Sequence, residues 1–585
     1  MNIPEILCEK VLAALEALEV TLPDPSRIQV TKAADLRFGD FQSNVAMMLA
    51  KPAGKNPRDF AMELMEKISA DDLCEISIAG PGFLNFTLKP ETWAALARSQ
   101  WSAEDLAVSQ VEKTETIVVD FSAPNVAKPM HIGHIRSTII GECLARVATK
   151  VGHKVIKDNH IGDWGTQFGM VTWAWKKGVD GKQLEEDPLQ ELLRLYRMAS
   201  DAAKEDEAIK EEYRAELVKL QQGDLENIEI WTRCVDLSRK GLENIYERLD
   251  VRFDHWLGES DYNEDLAPLV KKLTDDGHAR ESDGAMCIFS SETVKAKNDP
   301  FKVNRDGEWR DFPMMVRKKD GAFNYATTDI ATVEFRVNKW QTDQAWYVVD
   351  VRQSGHFSQL IEVSSRLGYD GIKLVHVAFG TILGKDGSPL KTRAGDLPQL
   401  EDVLNDAVKA AQIIVDEKSH LDTVEEKEAL AELIGVSSIK FTELSHHRMS
   451  DYVFDLEKMV ALEGDTAPYL LYSYVRSRSI FRKLDGEVDL NAENLVLTEK
   501  AEIHLVRMLT RYSAQIHQVL EDYRPNLLAA YLLELARAFH SFFEACPVLK
   551  SEGQIRESRL ILCDLTSRVL KDGLGLLAIP VPERM

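Results

Sequence analysis

The sequence predicts a multidomain α/β protein, with a parallel-sheet domain between a small N-terminal α+β domain and an all-α C-terminal half. Its 585 residues exceed what one hydrophobic core supports, so several domains are expected. Between about 112 and 400, short apolar runs bounded by turn residues alternate with helical periodicity, as in sheets buried on both faces. Beyond residue 397 only helical periodicity is found, and no convincing strand.

The first 110 residues or so alternate helix-like stretches with short strands. Ile6–Leu18 and Pro57–Ile68 have helical spacing, whereas Glu75–Ile78 and Leu84–Leu88 have the character of strands. Gly80-Pro81-Gly82 supplies a turn. Because no cluster of titratable side chains falls in this region, a binding or structural role is expected there.

Four apolar runs predict the strands of the central sheet: Thr116–Phe121, Lys154–Lys157, Ala345–Val351 and Lys373–Phe379. Ligands of such sheets bind beyond the carboxyl ends of the strands. Several residues at or just past these ends are therefore candidate ligand contacts: Asp120, Asn125, His131, Gln353 and Gly380. A long, charged helical insertion between about 175 and 255 carries no recognisable chemistry.

The C-terminal half is predicted to be helical throughout. Its segments are broken by Gly, Pro and Asp clusters and cover 399–418, 425–444, 454–484, 499–521, 525–545 and 554–573. An all-α half of this kind suits a surface that recognises the shape of RNA, and equally suits any helical scaffold.

The overall composition limits the class of protein. The net charge of −24 taken alone argues against a nucleic-acid partner, although local patches rather than total charge decide such binding. Seven scattered cysteines without paired CxxC spacing favour a reducing compartment and argue against structural zinc. No apolar run approaches the roughly 20 residues of a membrane span, and the N-terminus resembles an amphipathic helix rather than a signal peptide. A cytoplasmic protein without a membrane segment is expected.

The segment from Asp120 to His134 (DFSAPNVAKPMHIGH) is the most informative part of the chain. A strand, a Ser-Ala-Pro-Asn turn and the start of a helix follow one another there. We expect His131 and His134 on one face of the first helical turn, with Gly133 allowing close approach of a ligand to the backbone. Free amide hydrogens and the positive end of the helix dipole favour phosphate. The segment therefore predicts a site for the phosphates of ATP.

The same segment resembles the signature of class I aminoacyl-tRNA synthetases, and the longer string resembles its arginyl-tRNA synthetase version. Other motifs in family order extend the resemblance over the whole chain: Phe38–Asn44, Gly80–Asn85, Gly162–Gly169, Tyr325–Asp329, Asp350–Gln353, Glu463–Tyr469 and Pro582–Met585. The resemblance implies a tRNA-contacting domain at 1–110 and a Rossmann-like catalytic domain at 111–400. A helical connecting region at 401–465 and an all-α anticodon-binding domain at 466–585 would follow.

The resemblance implies a ligase that is expected to act as a monomer. It would activate L-arginine with ATP and Mg²⁺ to arginyl-adenylate, then transfer the arginyl group to the 3′-terminal adenosine of tRNA(Arg). The metal would arrive with ATP, without a dedicated protein metal site. Two rivals stay open: another nucleotidyltransferase with the same His motif, and a tRNA-binding paralogue with a decayed active site. The first leaves the long helical half unexplained, and the intact candidate residues argue against the second.

For the ATP site, the resemblance assigns the phosphates to His131 and His134, with Gly133 and Gly380 also lining the site. The second class I signature, a lysine-rich loop, departs here from the common form, and its candidate is the segment 383–393. Many arginyl enzymes carry a lysine just before the His motif instead. Lys128 occupies that position and is the expected catalytic lysine, assisted by Lys385 or Lys391. The sequence leaves open which of the two loop lysines reaches a phosphate.

An arginine substrate requires carboxylates placed for forked hydrogen bonds with its guanidinium. Tyr325 and Asp329 are four residues apart on a predicted helix and would share one side of it. The resemblance assigns both to the guanidinium, with Glu259 as a weaker candidate for the same pocket. Structural alternatives stay open: Tyr325 as an aromatic residue of the core, and Asp329 as the partner in a salt bridge on the helix surface. The resemblance assigns the amino acid's α-amino and carboxyl groups to Asp120, Ser122, Asn125 and Gln353.

For tRNA, aromatic and cationic side chains alternate along 472–483, as in surfaces that stack unpaired bases and neutralise phosphates. The segments 523–526 and 531–537 resemble the family's anticodon-binding domain. The candidate RNA contacts are Tyr472, Arg476, Arg478, Tyr523 and Arg537.

Overall fold

The computed structural model describes residues 3–20, 24–388, 390, 397–484 and 490–585. The chain divides into two compact units. One comprises Met1–Ala107, Arg476–Ser513 and Glu534–Leu570, and the other comprises Val108–Val475, Ala514–Leu533 and Lys571–Met585. Within the described ranges, no helix is long and apolar enough to cross a membrane.

The N-terminal region combines helices with short strands, as predicted, and its strands form an antiparallel sheet. Its elements are α1 (Ile3–Ala17), β1 (Thr31–Lys32), β2 (Phe41–Ser43), α2 (Val45–Leu49), α3 (Pro57–Lys67), β3 (Cys74–Ala79), β4 (Phe83–Leu88) and α4 (Pro90–Ser102). The strand order is β1-β2-β4-β3. Helix α3 begins at a proline, and the side chain of Asn56 caps it by accepting from the Arg58 N–H (3.0 Å).

The central region begins with β5 (Thr116–Asp120), α5 (Gly133–Lys150) and β6 (Lys154–Asp158). The helical insertion contains α6 (Thr166–Gly178), α7 (Gly181–Glu186), α8 (Pro188–Glu205), α9 (Ile209–Gln221) and α10 (Leu225–Arg248). After it come α11 (Asn263–Asp275), β7 (Ala279–Ser282), β8 (Ala285–Ile288), β9 (Lys302–Arg305), β10 (Glu308–Asp311), β11 (Met314–Arg317), α12 (Tyr325–Asn338), β12 (Gln344–Tyr347), α13 (Ser354–Arg366), β13 (Lys373–His376) and β14 (Ile382–Leu383).

All four predicted central strands are present and parallel, in the order β13-β12-β5-β6. The third and fourth end earlier than predicted, at Tyr347 and His376. The apolar residues after Tyr347 do not extend the strand because the chain turns, and the carboxylate of Asp350 accepts from the Arg352 N–H (2.8 Å). The strand ends therefore deliver polar side chains to one edge of the sheet.

Two small antiparallel sheets, β11-β8-β7 and β10-β9, were not predicted. Each strand has only four residues, and β10 is exposed along its whole length. The strands β9 and β10 bury no face, and β8 and β11, although partly buried, are too short to give a periodic apolar signal.

The C-terminal helices are α14 (Leu400–Lys418), α15 (Val424–Ser445), α16 (Leu456–Met459), α17 (Ala467–Arg482), α18 (Lys500–Leu509), α19 (Tyr512–Glu521), α20 (Pro525–Ala545) and α21 (Gly553–Leu576), with the short strand β15 (Tyr452–Val453) before α16. The prediction of no strand after 397 is therefore wrong at β15, which pairs in parallel with β14. The predicted helix 454–484 is two helices, separated by a segment in which Gly464 adopts φ +90°.

Candidate active site

The turn after β5 has an unusual backbone. Ser122, Ala123 and Ala127 adopt φ values of +72°, +47° and +61°, in the left-handed region that residues with a Cβ seldom enter. Side chains from neighbouring elements accept hydrogen bonds from the backbone there, including Ser137 Oγ from the Ser122 N–H (2.8 Å) and Ser238 Oγ from the Ala127 N–H (3.0 Å). Strain held in place by specific hydrogen bonds is typical of ligand-binding segments.

His131 and His134 lie together, with ring centroids 3.9 Å apart and an interplanar angle of 25°. The Gly133 N–H donates to Nδ1 of His131 (3.1 Å), and the His131 N–H donates to Nδ1 of His134 (3.1 Å). A ring nitrogen that accepts a hydrogen bond carries no proton, so each neutral imidazole bears its proton on Nε2. The backbone therefore fixes both rings as Nε2–H donors.

Both imidazoles are neutral near pH 7. Burial, with a smaller contribution from the neighbouring His131, lowers the pKa of His134 to about 3. Burial also lowers the pKa of His131, with a smaller contribution from the charge of Lys128. The pair can therefore donate hydrogen bonds to phosphate oxygens without carrying charge of its own.

Two details differ from the expected helix N-terminus. The amide hydrogens are not free, because the Gly133 N–H donates to the His131 ring and the His134 N–H donates to the His131 carbonyl (2.9 Å). Gly133 makes room for a side chain: a Cβ there would lie 2.9 Å from the His131 ring. Phosphate contacts at this turn would accordingly come from the imidazoles rather than from the backbone.

Lys128 lies half-buried beside this turn. Its ammonium stands 4.2 Å from the centroid of the Tyr196 ring, in α8 of the helical insertion. Its charge is close enough to lower the pKa of His131. The helical insertion, for which the sequence suggested no chemistry, therefore supplies an aromatic support for the candidate lysine.

The segment after β14 forms a tight turn in which the Gly384 N–H donates to the Ser388 carbonyl (2.7 Å). Lys385 in this turn is 68% exposed and pairs with Asp455 at 3.5 Å. Gly380 is buried, and its N–H donates to the Arg448 carbonyl (2.9 Å), so this amide is already engaged. Lys391 lies outside the described residues.

The predicted helix with Tyr325 and Asp329 is α12, and both side chains contact His356, a residue that the sequence analysis did not single out. His356 Nε2 lies 2.6 Å from the Asp329 carboxylate, and its ring stands edge-on to that of Tyr325, with centroids 4.8 Å apart. Tyr325 is 56% exposed, which excludes a core role for it. His356 therefore joins the side chains of Tyr325 and Asp329 into one group of contacts between α12 and the start of α13.

Glu259 belongs to the same acidic surroundings. Burial, with smaller contributions from the charges of Asp163 and Asp329, raises the pKa of Glu259 to about 7 against the opposing influence of His160. Burial also raises the pKa of Asp163, which accepts from the Ser260 hydroxyl at 2.6 Å. A buried carboxyl group whose pKa is raised by burial and by neighbouring carboxylates favours a cationic ligand.

Asp120 and Ser122 are held by the protein itself. Arg336, fully buried, donates from Nη2 to Asp120 (2.6 Å) and to Asp158 (2.8 Å), at the paired ends of β5 and β6. The Ser122 hydroxyl lies 2.6 Å from the Tyr246 hydroxyl and accepts from Thr138 (2.8 Å). By contrast, Asn125 and Gln353 are exposed at the same edge of the sheet.

Comparisons with known proteins identify the family of the chain. A family model described as tRNA synthetases class I (R), catalytic domain, matches residues 99–456. The chain belongs to the arginyl-tRNA synthetase family. Models for an arginyl-tRNA synthetase N-terminal domain and for a DALR anticodon-binding domain match residues 5–88 and 470–585.

Relatives of this synthetase family align over nearly the whole chain. The arginine–tRNA ligase of Picosynechococcus sp. is 41% identical, covering 98% of each chain, and that of Pseudomonas syringae pv. tomato is 42% identical, covering 95% of each. Solved arginyl-tRNA synthetase structures are similar too. The Plasmodium falciparum one has a TM-score of 0.81 at 26% identity, covering 100% of this chain and 99% of that one. The Thermus thermophilus one has 0.79 at 25%, covering all of both chains.

The candidate RNA contacts of this synthetase differ in their surroundings. Tyr472 is 51% exposed, and Arg537 is also exposed. Arg476 lies over the Phe543 ring (4.2 Å) and contacts His540, while Arg478 pairs with Asp564 at 3.0 Å. Tyr523 packs edge-on against Trp346 of β12, with ring centroids 5.0 Å apart. Of the five, Tyr472 and Arg537 present the most surface to a partner.

Sequence reasoning missed His356 and Arg336. His356 follows Gln353 by three residues, so one helical face at the start of α13 could have suggested it. Arg336 is two turns after Asp329 on α12, and only its contacts across the sheet reveal its role.

Proposed function

We propose that this chain ligates L-arginine to tRNA(Arg) in two steps, both at the carboxyl edge of the central sheet. In the first, a carboxylate oxygen of arginine attacks the α-phosphorus of Mg-ATP, and pyrophosphate leaves. In the second, a hydroxyl of the tRNA's 3′-terminal adenosine attacks the carbonyl carbon, and AMP leaves. The observation that carries the proposal is the neutral histidine pair, which the fold combines with the Asp329–His356 pair and the buried Glu259, because these groups suit polyphosphate and guanidinium respectively.

In the proposed phosphate site, His131 and His134 donate from Nε2 to oxygens that gain charge as the α-phosphate is attacked. Lys128 offsets negative charge on the same phosphates, with Lys385 or Lys391 approaching from the loop. No covalent intermediate with the protein is needed, so the chain acts by positioning and electrostatics. Gly380 acts structurally, because its buried N–H bonds to the Arg448 carbonyl at the edge of the sheet. Mg²⁺ enters as part of the nucleotide substrate.

In the proposed arginine site, Asp329 accepts from the guanidinium, Tyr325 forms a wall and Glu259 supplies further negative charge. His356 orients the Asp329 carboxylate. A planar guanidinium satisfies two acceptors at once, which an ammonium cannot do, so lysine is disfavoured. We assign Asn125 and Gln353 to the α-amino and carboxyl groups. Arg336 holds the side chain of Asp120, and Tyr246 and Thr138 hold that of Ser122. We therefore assign Asp120 and Ser122 an indirect role in positioning the α-amino and carboxyl groups of arginine.

The remaining assignments concern the regions that contact tRNA, the oligomeric state and the cellular compartment. We infer that residues 1–110 contact the body of the tRNA and that residues 111–400 form the catalytic domain, followed by a connecting region at 401–465. The helical domain at 466–585 contacts the anticodon region. Its exposed candidate residues are Tyr472 and Arg537. The protein is proposed to be monomeric and cytoplasmic, where its tRNA substrate is found, and its seven cysteines are all free thiols.

The test is arginine-dependent exchange between ATP and pyrophosphate, measured with and without tRNA(Arg). We expect exchange that requires tRNA, because Lys385 is held by Asp455 and the loop needs rearrangement to reach a phosphate. Strong exchange without tRNA would contradict that requirement alone. Absence of arginine-dependent exchange and of charging under both conditions would contradict the proposed function.

A second prediction concerns the release of a proton from Glu259 when arginine binds. Because Glu259 has a pKa of about 7 in the folded protein, a bound guanidinium should lower that pKa and release a proton. At pH 7 about half a proton per arginine is the upper limit for this group, and arginine affinity should rise as the pH rises from 6 to 8. Calorimetric titrations of arginine in two buffers of different ionisation enthalpy give the number released. Glu259→Gln should abolish the release; an unchanged release in that variant would exclude Glu259 as its source.

A further inference from the structure

A buried cluster lies between the helix that carries His134 and the base of the loop that carries Lys385. It consists of Arg136, Glu443 and Tyr452, here called the loop-base cluster, from α5, α15 and β15. The side chains of Arg136 and Glu443 are 1% and 0% exposed, and Tyr452 is buried. A charged pair removed from water in this way is costly to form and is disrupted strongly when one partner is lost.

Arg136 contacts both the other two side chains of the cluster and the backbone that precedes β15. Arg136 Nε lies 3.1 Å from a Glu443 carboxylate oxygen, at an angle outside hydrogen-bond geometry, and the Tyr452 hydroxyl donates to the other oxygen. The Arg136 guanidinium also donates to the carbonyls of Arg448 and Ser450 (3.2 Å each) and stands 5.4 Å from the centroid of the Tyr452 ring. Arg136 therefore binds the chain segment that leads into β15.

The cluster connects directly to the base of the loop at β14. Tyr452 is the register partner of Ile382 in the β14–β15 pair. The loop leaves β14 after Leu383, and on its return the Leu390 N–H donates to the Ile382 carbonyl (3.1 Å). The start of the loop and Leu390 therefore meet at Ile382, the residue with which Tyr452 pairs. At the other side of the cluster, Arg136 is two residues from His134, in the same helical turn.

We propose that Arg136, Glu443 and Tyr452 are positioning residues that fix the loop base relative to the histidine pair, so that the loop lysine and the imidazoles act on the same phosphates. This inference rests on the proposed function of those groups. None of the three side chains is assigned a contact with substrate. Their loss should therefore lower the rate of the chemical step rather than substrate binding, because geometry in the transition state is what they set.

The variant of choice is Tyr452→Phe, which keeps the ring over Arg136 and removes only the hydroxyl that holds Glu443. We expect kcat of arginine-dependent exchange, with tRNA present, to fall about tenfold while the KM values for ATP and arginine stay within about twofold. Hydrogen–deuterium exchange of the peptide 382–390 should become faster, with that of α5 unchanged. Tyr213→Phe is the matched control, because it removes one hydroxyl, bonded to the Ala199 carbonyl (2.5 Å), from a buried tyrosine outside the cluster.

The measurements distinguish a positioning role from general destabilisation and from failure of the proposed function. An unchanged kcat in Tyr452→Phe overturns the proposal, and so does a loss of kcat accompanied by equally faster hydrogen exchange throughout the protein, since that would be general destabilisation. Glu443→Gln, which keeps an oxygen for Tyr452 but removes the charge, gives a second reading of kcat and loop exchange. Should the wild-type chain show no arginine-dependent exchange at all, the proposed function fails instead, which the same assay reveals before any variant is made.

Discussion

Lys128→Ala is expected to lower kcat of aminoacylation on the order of 10²–10³-fold, the range for loss of one preorganised group that stabilises transition-state charge. The lysine-rich loop departs here from the common class I form, so we expect a cation outside the loop to offset charge on the phosphates. Lys128 is near enough to influence His131, and the Tyr196 ring supports its ammonium at 4.2 Å. Because the contact is made chiefly in the transition state, KM for ATP should change little.

The comparison for Lys128 uses the two loop lysines. Lys385→Ala and Lys391→Ala should each have smaller effects in steady-state aminoacylation, and circular dichroism should show all three variants folded. If Lys391→Ala is the most damaging of the three, the loop carries the charge and the assignment to Lys128 is wrong. Lys128→Arg, which keeps the charge on a bulkier group, should recover part of the lost rate.

Asp329→Ala is expected to raise the arginine KM by roughly two orders of magnitude. A charge-assisted hydrogen bond contributes roughly 1.5–3 kcal/mol, and more when its loss leaves a buried cation without an acceptor. ATP binding should hardly change, because the histidine pair lies on a different element. Glu334→Ala is the matched control: Glu334 is on the same helix and pairs with Lys272 at 3.3 Å, away from His356.

The result that would contradict the Asp329 assignment is a KM for arginine within about threefold of wild type in a folded variant. His356→Ala should give an intermediate increase, since it removes the group that orients the carboxylate but leaves the carboxylate itself. Equal effects of the two substitutions would mean that orientation by His356 is as important as the charge.

The sequence predicted the central strands and the histidine segment because both are local: an apolar run and a short motif suffice to locate them. It also placed Tyr325 and Asp329 on one side of a helix, since a spacing of four residues fixes that. It did not predict that the His131 and His134 rings would occupy the amides at the helix start. That arrangement depends on ring orientations, which spacing does not determine.

Other parts of the site depend on contacts between distant segments. The Arg336 bonds to Asp120 and Asp158 span 216 and 178 residues along the chain, so no local pattern signals them. The strand β15 consists of two residues and exists only because β14 pairs with it. The raised pKa of Glu259 likewise depends on burial and on the charges of Asp163 and Asp329, which lie far from it in sequence.

The central claim is that an acidic pocket around Asp329 recognises a guanidinium next to a phosphate site. The most direct measurement compares arginine with citrulline, its uncharged isostere, in ATP–pyrophosphate exchange with tRNA(Arg) present. We predict that kcat/KM for citrulline is at least about 100-fold below that for arginine, because the pocket's carboxylates would be left without a cation. In Asp329→Asn the difference should shrink. Activation of citrulline as efficiently as arginine by the wild-type protein would contradict the account.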